Sequence, residues 1–453
     1  MEKITITFHG AAGTVTGSNF LLSDGTTRVL VDCGLTQGKD FCDSCNFDDF
    51  EYDPAHIDAL IITHAHLDHI GRAPKLLRDG FDAPVYMTPP TKDLTAVMLE
   101  DSNDILRREA EKLSRPPMYE KEDIEALLDR VETYEYHKPF SVGAFTCEFF
   151  DAGHILGSAM VRITHATGKS VLFTGDLGNV PSPLLPDTEH VEGVEYLVME
   201  SVYGDRLHEA REERSTRLRD IIVEAVSRGG TLMIPAFSME RTQILLYELS
   251  NMMEAKALPE VPVFLDSPLA IKVTEIYKRW SEYYKKDVAR EALREGDIFD
   301  FPFLEKTMTK EESQAIGDVS GPKIVIAGAG MSHGGRIQHH QMRYLEDPAS
   351  TLLIVGYQTA GSLGRLLQDG AKKVRIYDRE VRVRATIETL SGFSAHADRD
   401  GLMAFVEPMA PSLKTAFLAM GEPGPASFLA QRLHDFLGVK AILPQQGEEY
   451  ELR

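Results

Sequence analysis

The sequence predicts an α/β fold, and two observations carry that prediction. Short β-branched or apolar runs recur along the whole chain, and between about residues 206 and 378 they alternate with helix-length segments. Such alternation builds a parallel sheet with crossover helices. In the first half, several apolar runs stop abruptly at His or Asp, so that potential ligands sit where strands end. At 453 residues the chain can bury a sizeable core, and its length favours two or three domains.

Taken in order, Ile4-Thr5-Ile6-Thr7-Phe8 alternates as a half-buried strand and is not preceded by a charged-then-apolar leader. With four cysteines unevenly spread and no apolar run of membrane-spanning length, a cytoplasmic protein without a disulfide framework is expected. Gly10 to Ser18 has turn glycines but lacks the lysine of a phosphate-binding loop, so it reads as a hairpin connection. Arg28-Val29-Leu30-Val31 ends at Asp32, an acceptor suited to the N–H of a ligating imidazole. Ile57 to Ile62 then delivers Thr63-His64-Ala65-His66-Leu67-Asp68-His69. In an extended backbone His64 and His66 can face one ion, while Asp68 and His69, a turn further on, can face another. The aromatic run from Phe145 leads to His154, and Ser170 to Thr174 leads to Asp176, a carboxylate able to bridge two ions. Cys42-x-x-Cys45 is a lone pair in an acidic loop with no function assigned.

Asp32, His64-x-His66-x-Asp68-His69, His154 and Asp176 resemble the ordered motifs of the metallo-β-lactamase superfamily. The resemblance implies an αββα sandwich with metals at one edge. It assigns one ion to His64, His66, His154 and Asp176, and a second to Asp68, His69 and the shared Asp176. Further on, Glu200 after the strand Val194 to Met199, the segments Ile234 to Gln243 and Phe264 to Ala270, and Gly392-Phe393-Ser394-Ala395-His396-Ala397-Asp398 are similar to the β-CASP nucleases. That similarity implies a sandwich of residues 1–205 and 379–453 interrupted by an α/β β-CASP domain at 206–378. A helical excursion is expected near Leu94 to Tyr134.

The nuclease resemblance implies Zn²⁺ at two sites, or Mn²⁺, a metal-activated water, Asp68 to take its proton, His396 to contact the phosphate or protonate the leaving oxygen, and Glu200 to orient His396. Ser332 and Arg336 in the glycine-rich stretch Gly328 to Arg336 offer contacts for substrate phosphate. RNA-cleaving members carry a histidine where this chain has Met420, whereas DNA-cleaving members carry an apolar residue there. A thioether is a soft, weak ligand, so the second ion is expected to be weakly held or partly occupied. The expected function is a metal-dependent ribonuclease on single-stranded RNA, cutting internally, from a 5′ end, or both. The alternatives are a DNA-directed nuclease and a non-catalytic RNA-binding subunit; homodimerisation is left open. Net charge is 48 − 70 = −22, unhelpful to an RNA enzyme, but residues 372–384 hold six basic against two acidic side chains. A solvated strand face and a phosphate track explain that segment equally well.

Overall fold

A computed structural model describes residues 3–37, 44–208, 214–356, 358–359 and 361–453. Cys42 lies outside the described residues, and Cys45 is a free, exposed cysteine. The chain divides into two units, Met1–Leu207 with His396–Arg453, and His208–Ala395.

Among the described residues, the first unit holds two seven-stranded sheets. One runs in the order Glu449–Leu452, Ile4–Gly10, Asn19–Ser23, Arg28–Val31, Ala59–Ile61, Val85–Met87, Val131–Thr133. The other runs Ala441–Ile442, Thr415–Leu418, Tyr196–Met199, Ser170–Phe173, Ala159–His165, Phe145–Asp151, Phe140–Val142. Strand side chains alternate between faces, and the sequence uses this to build two cores. Ile4, Ile6, Phe8, Phe20, Val29, Val31 and Ile61 of the first sheet pack with Phe145, Phe149, Val161, Ile163, Val171, Phe173, Val198 and Phe417 of the second. The intervening positions Met160, Leu172, Leu197, Met199 and Leu418 face outward and pack with Leu402, Phe405, Leu429 and Leu433, which lie on helices Arg399–Val406 and Pro423–Leu437. Each fully buried side chain of this kind contributes about 1.5–3 kcal/mol. The result is a sandwich with helices outside.

The segment expected to be a helical excursion contains helices Pro89–Lys112 and Lys121–Asp129 but closes with the edge strand Val131–Thr133, paired parallel to Val85–Met87. The glycine-rich segment after Phe8 joins two antiparallel strands, with Gly10 opposite Asn19.

The second unit is built on a six-stranded sheet ordered Leu304–Lys306, Val263–Asp266, Lys323–Ala327, Thr231–Pro235, Thr351–Val355, Thr386–Leu390. Every pairing in it is parallel, and helices such as Arg214–Ser227, Arg241–Glu254 and Ile337–Tyr344 connect the strands. Its last strand pairs with Thr351–Val355 along its full length. This unit therefore extends to Ala395, past the residue 378 at which the insertion is expected to end from the sequence.

One close approach fixes the geometry of the first unit's sheet edge. The backbone after Val31 runs against the short helix Leu67–Ile70: Cys33 N donates to His69 O, Leu35 N to Leu67 O, and Ser18 N to Asp68 O. A methyl group on Gly34 would stand 1.6 Å from Asp68 O, and backbone on both sides leaves nothing able to yield. Gly34→Ala is expected to cost about 1–3 kcal/mol by overpacking. Gly424→Ala, whose methyl would meet open space, is expected to be neutral. Thermal unfolding of the two variants checks this, and equal midpoints would refute it.

Candidate metal centre

Backbone hydrogen bonds lace together the loops that leave these strands. Ala159 N donates to Thr63 O, Gly178 N to Ala152 O, and Ala397 N to Leu177 O, while Gly178 and His396 form an isolated antiparallel bridge. Sequence segments more than two hundred residues apart thus converge on one sheet edge, all within the first unit.

Four ligand-type atoms meet there. His64 Nε2 lies 3.1 Å from His66 Nδ1, and His154 Nε2 lies 3.2 Å from the same atom. Asp176 Oδ2 is 3.4 Å from His64 Nε2 and 3.5 Å from His154 Nε2. An ion with four tetrahedral bonds of about 2.0–2.2 Å spaces its ligand atoms by about 3.3–3.6 Å; the two edges to Asp176 fall in that range and the two at His66 Nδ1 lie just below it. Burial pushes the pKa values of His64, His66 and His154 below the usual imidazole range, leaving the neutral form that coordination requires. For Asp176 burial acts upward, but the charges of His69, His396 and His64 outweigh it and hold the carboxyl well below its ordinary range.

The other carboxylate oxygen of Asp176 faces elsewhere. Its Oδ1 is 3.5 Å from His69 Nε2, a buried nitrogen that makes no hydrogen bond. On the far side of the same ring, Nδ1 sits 2.6 Å from Asp32 Oδ2, and a carboxylate only accepts, so Nδ1 carries the hydrogen. An orphaned buried Nε2 opposite a pinned Nδ1 is the arrangement of a metal-binding imidazole, and it fits a second ion. Asp32 is fully buried at φ 60° and accepts in addition from Thr63 N at 2.8 Å, Thr63 Oγ1 at 2.9 Å and Ser18 Oγ at 3.1 Å. Asp68, on the first turn of helix Leu67–Ile70, is outside the four-atom group; burial raises its pKa, with His69 opposing.

Glu200 and His396 flank this group. Glu200 is fully buried, accepts from Leu177 N at 2.5 Å, and places Oε2 3.2 Å from His396 Nδ1. Asp176 Oδ2 lies 3.9 Å from that nitrogen. Burial would depress the His396 pKa, but the charges of Glu200 and Asp176 dominate and push it up to about 9.

Met420 does not join the ligand atoms. Its side chain is buried in the core of the sandwich, with Sδ 4.0 Å from Ser18 Oγ. Ser332 and Arg336 lie in the second unit, where both have structural work. Arg336 donates to Asp266 Oδ1, Thr307 O and Met308 O, and buried Ser332 accepts from Gln341 Nε2 through its hydroxyl. Their expected phosphate contact draws no support from this geometry.

Sequence reasoning missed three participants. Thr63 and Ser18 complete the Asp32 shell, and Ser158 Oγ accepts from His154 N and Ile155 N to shape the ligand loop. A hydroxyl directly before His64 was one available signal, Ser158 lies within four residues of the backbone it caps, and nothing local to Ser18 announces Asp32 as its partner.

Family models match in three blocks: the metallo-beta-lactamase superfamily over residues 12–221, the Beta-Casp domain over 242–367, and the Zn-dependent metallo-hydrolase RNA specificity domain over 380–444. Ribonuclease TTHA0252 of Thermus thermophilus is 39% identical over 398 residues, covering 88% of this chain and 89% of that protein. Transcription termination factor FttA of Pyrococcus abyssi is 32% identical over 472 residues, covering 99% of this chain and 72% of its own. Among solved structures, a protein of unknown function from Enterococcus faecalis V583 shares the fold, with a TM-score of 0.60 at 15% identity over 99% of this chain and 100% of that one. Similarity of this extent, carried through all three blocks, places the chain in the β-CASP family of the metallo-β-lactamase superfamily.

Proposed function

We propose that the protein is a metal-dependent ribonuclease that hydrolyses phosphodiester bonds in single-stranded RNA. The observation that carries this reading is the divided carboxylate of Asp176, with Oδ2 among three neutral imidazole nitrogens and Oδ1 turned to His69. Imidazole and carboxylate donors at tetrahedral spacing suit Zn²⁺, with Mn²⁺ the alternative. When bound, paired cations supply Lewis acidity toward a water and the phosphoryl oxygens. Two of the chain's relatives, a ribonuclease and a transcription termination factor, support RNA as the polymer.

The chain's own groups then divide the proton traffic. Asp68, whose burial raises its pKa, takes the proton of the attacking water. Below about pH 9 His396 is protonated, so it can hydrogen-bond the phosphate and deliver a proton to the leaving oxygen. Glu200 holds His396 Nδ1 and keeps the opposite edge of the ring for that transfer. Asp32 fixes His69 in one tautomer and one orientation.

Met420 sustains a second reading, DNA as substrate, because it stands where DNA-cleaving members of the family carry an apolar residue. Labelled RNA and DNA oligonucleotides of matched sequence, incubated with Zn²⁺ or Mn²⁺, separate the readings. Preferential cutting of RNA is expected; equal rates on both, or none on either, would overturn it.

Two further outcomes follow from the site. Removing the Glu200 charge takes away the main force holding the His396 pKa up, so Glu200→Gln should move the alkaline limb of the pH–rate profile to lower pH, and His396→Ala should lower kcat by about 10²–10⁴-fold. An unmoved alkaline limb would remove His396 from the acid role. Metal analysis of purified protein is expected to find one tightly held ion and a second below full occupancy, with Met420→His raising the second. Two tightly held ions in the unmodified protein would refute the assignment of Met420.

A further inference from the structure

A basic hairpin in the second unit has features that its own packing does not explain. Strands Lys373–Ile376 and Arg379–Arg382 pair antiparallel, with Lys373 opposite Arg382, Val374 opposite Val381, and Arg375 opposite Glu380. Val374, Ile376 and Val381 are buried in that unit's core, which anchors the ribbon. The other face presents Lys373, Arg375, Glu380 and Arg382 to solvent, and Lys372 and Arg384 flank it, also exposed. Like charges directly opposite one another destabilise a two-stranded pair, yet Lys373 faces Arg382. Lys373 is relieved by Glu380 at 2.7 Å and Arg379 by Glu346 at 3.8 Å. Among the described residues Lys372, Arg375, Arg382 and Arg384 have no ion pair at all. In a chain of net charge −22 such a concentration of unneutralised cations repays little in stability.

The apex adds a second, independent feature. Tyr377 sits at φ 52°, a conformation that Asn or Gly adopts at much lower cost than an aromatic residue. Its side chain is 54% exposed, so burial does not repay the strain. The neighbouring ring is that of His339, also exposed, with centroids 5.5 Å apart and planes inclined by 32°. Two accessible rings beside a row of cations have the composition of a surface for single-stranded nucleic acid, in which phosphates track the charges and bases stack on the aromatics.

We propose that the outward face of the hairpin 373–382, with Tyr377 and His339 at its apex, is a binding surface for single-stranded RNA that shares no residue with the metal centre. Arg375, Arg382, Arg384 and Lys372 take phosphates, and Tyr377 stacks a base. The proposal rests on the ribonuclease reading, and its test is chosen so that the two can fail separately.

The test uses the full chain and a fluorescently labelled uridine homopolymer, with binding followed by anisotropy across a salt series in the presence of a chelator so that nothing is cut. Replacing three phosphate contacts in R375A/R382A/R384A should lower the slope of log affinity against log salt by about 2, from about 0.7 per contact on a single strand. Tyr377→Asn should weaken binding by about fivefold or more while leaving the unfolding midpoint equal or higher, since Asn tolerates the left-handed backbone; a merely structural tyrosine could not give that combination. Cleavage of very short oligonucleotides should keep its kcat in both variants. If the unmodified protein cuts and binds RNA but the variants bind with unchanged slope and affinity, the hairpin surface is overturned and the nuclease stands. If the unmodified, metal-loaded protein neither binds nor cuts RNA, the ribonuclease reading falls and the hairpin proposal falls with it.

Discussion

The candidate centre depends on the buried carboxylate of Asp32. It accepts from the imidazole of His69, from the backbone and hydroxyl of Thr63, and from Ser18, so it ties the strand Arg28–Val31 to the turn that follows the strand Ala59–Ile61 and to the hairpin connection before Asn19. An unpaired buried carboxylate is expensive, and this one is stabilised only when all three segments are in place. The fold of the sheet edge and the orientation of His69 are therefore the same event. Breaking the network at any one donor would leave a buried charge with fewer partners and a ring with freedom to turn.

Charge balance explains why so many acids can share this edge. Asp32, Asp68, Asp176 and Glu200 crowd around five imidazoles, and burial opposes the ionised forms of Asp68, Asp176 and Glu200. His69 and His396 answer by holding protons: His69 well above the usual imidazole range, where Asp176 and Asp32 outweigh the opposing effect of burial, and His396 at about 9. His64, His66 and His154 go the other way because burial dominates there. The three neutral rings point their nitrogens at a common locus beside one oxygen of Asp176, and His69 faces its other oxygen.

Parts of this organisation were legible in the sequence for plain reasons. Lys323–Ala327 and Thr351–Val355 are continuous apolar runs, buried on both faces of a parallel sheet, and such runs are visible without any context. Val131–Thr133 was not visible: it is three residues long with only Val131 buried, too short for a period to register. Thr386–Leu390 was equally obscure because four of its five positions are half-buried. At the site, the ligand-type residues announce themselves by ending strands. What the sequence withholds is the pairing across long separations, such as Ser18 with Asp32 or Leu177 with Glu200. Arg336 illustrates the reverse case, a residue whose internal partners the sequence does not show. A guanidinium in a glycine-rich loop suggests phosphate, and in the structure it also pairs with Asp266, a fully buried carboxylate that gathers Thr307, Ser313 and His340.

Position 420 shows how a backbone can be fixed by its neighbours while its side chain packs independently into the core. The backbone there has φ 46°, donates from its N–H to Ala11 O and accepts from Ser201 N, while the adjoining Gly421 leaves room for Ser201, whose hydroxyl a methyl would meet at 2.1 Å. These are main-chain and glycine constraints, indifferent to the side chain at 420. Methionine has taken the core, where it packs among the residues between the sheets. The loop keeps its main-chain contacts with the thioether in the core, so the backbone at 420 and the packing of its side chain are held by separate constraints.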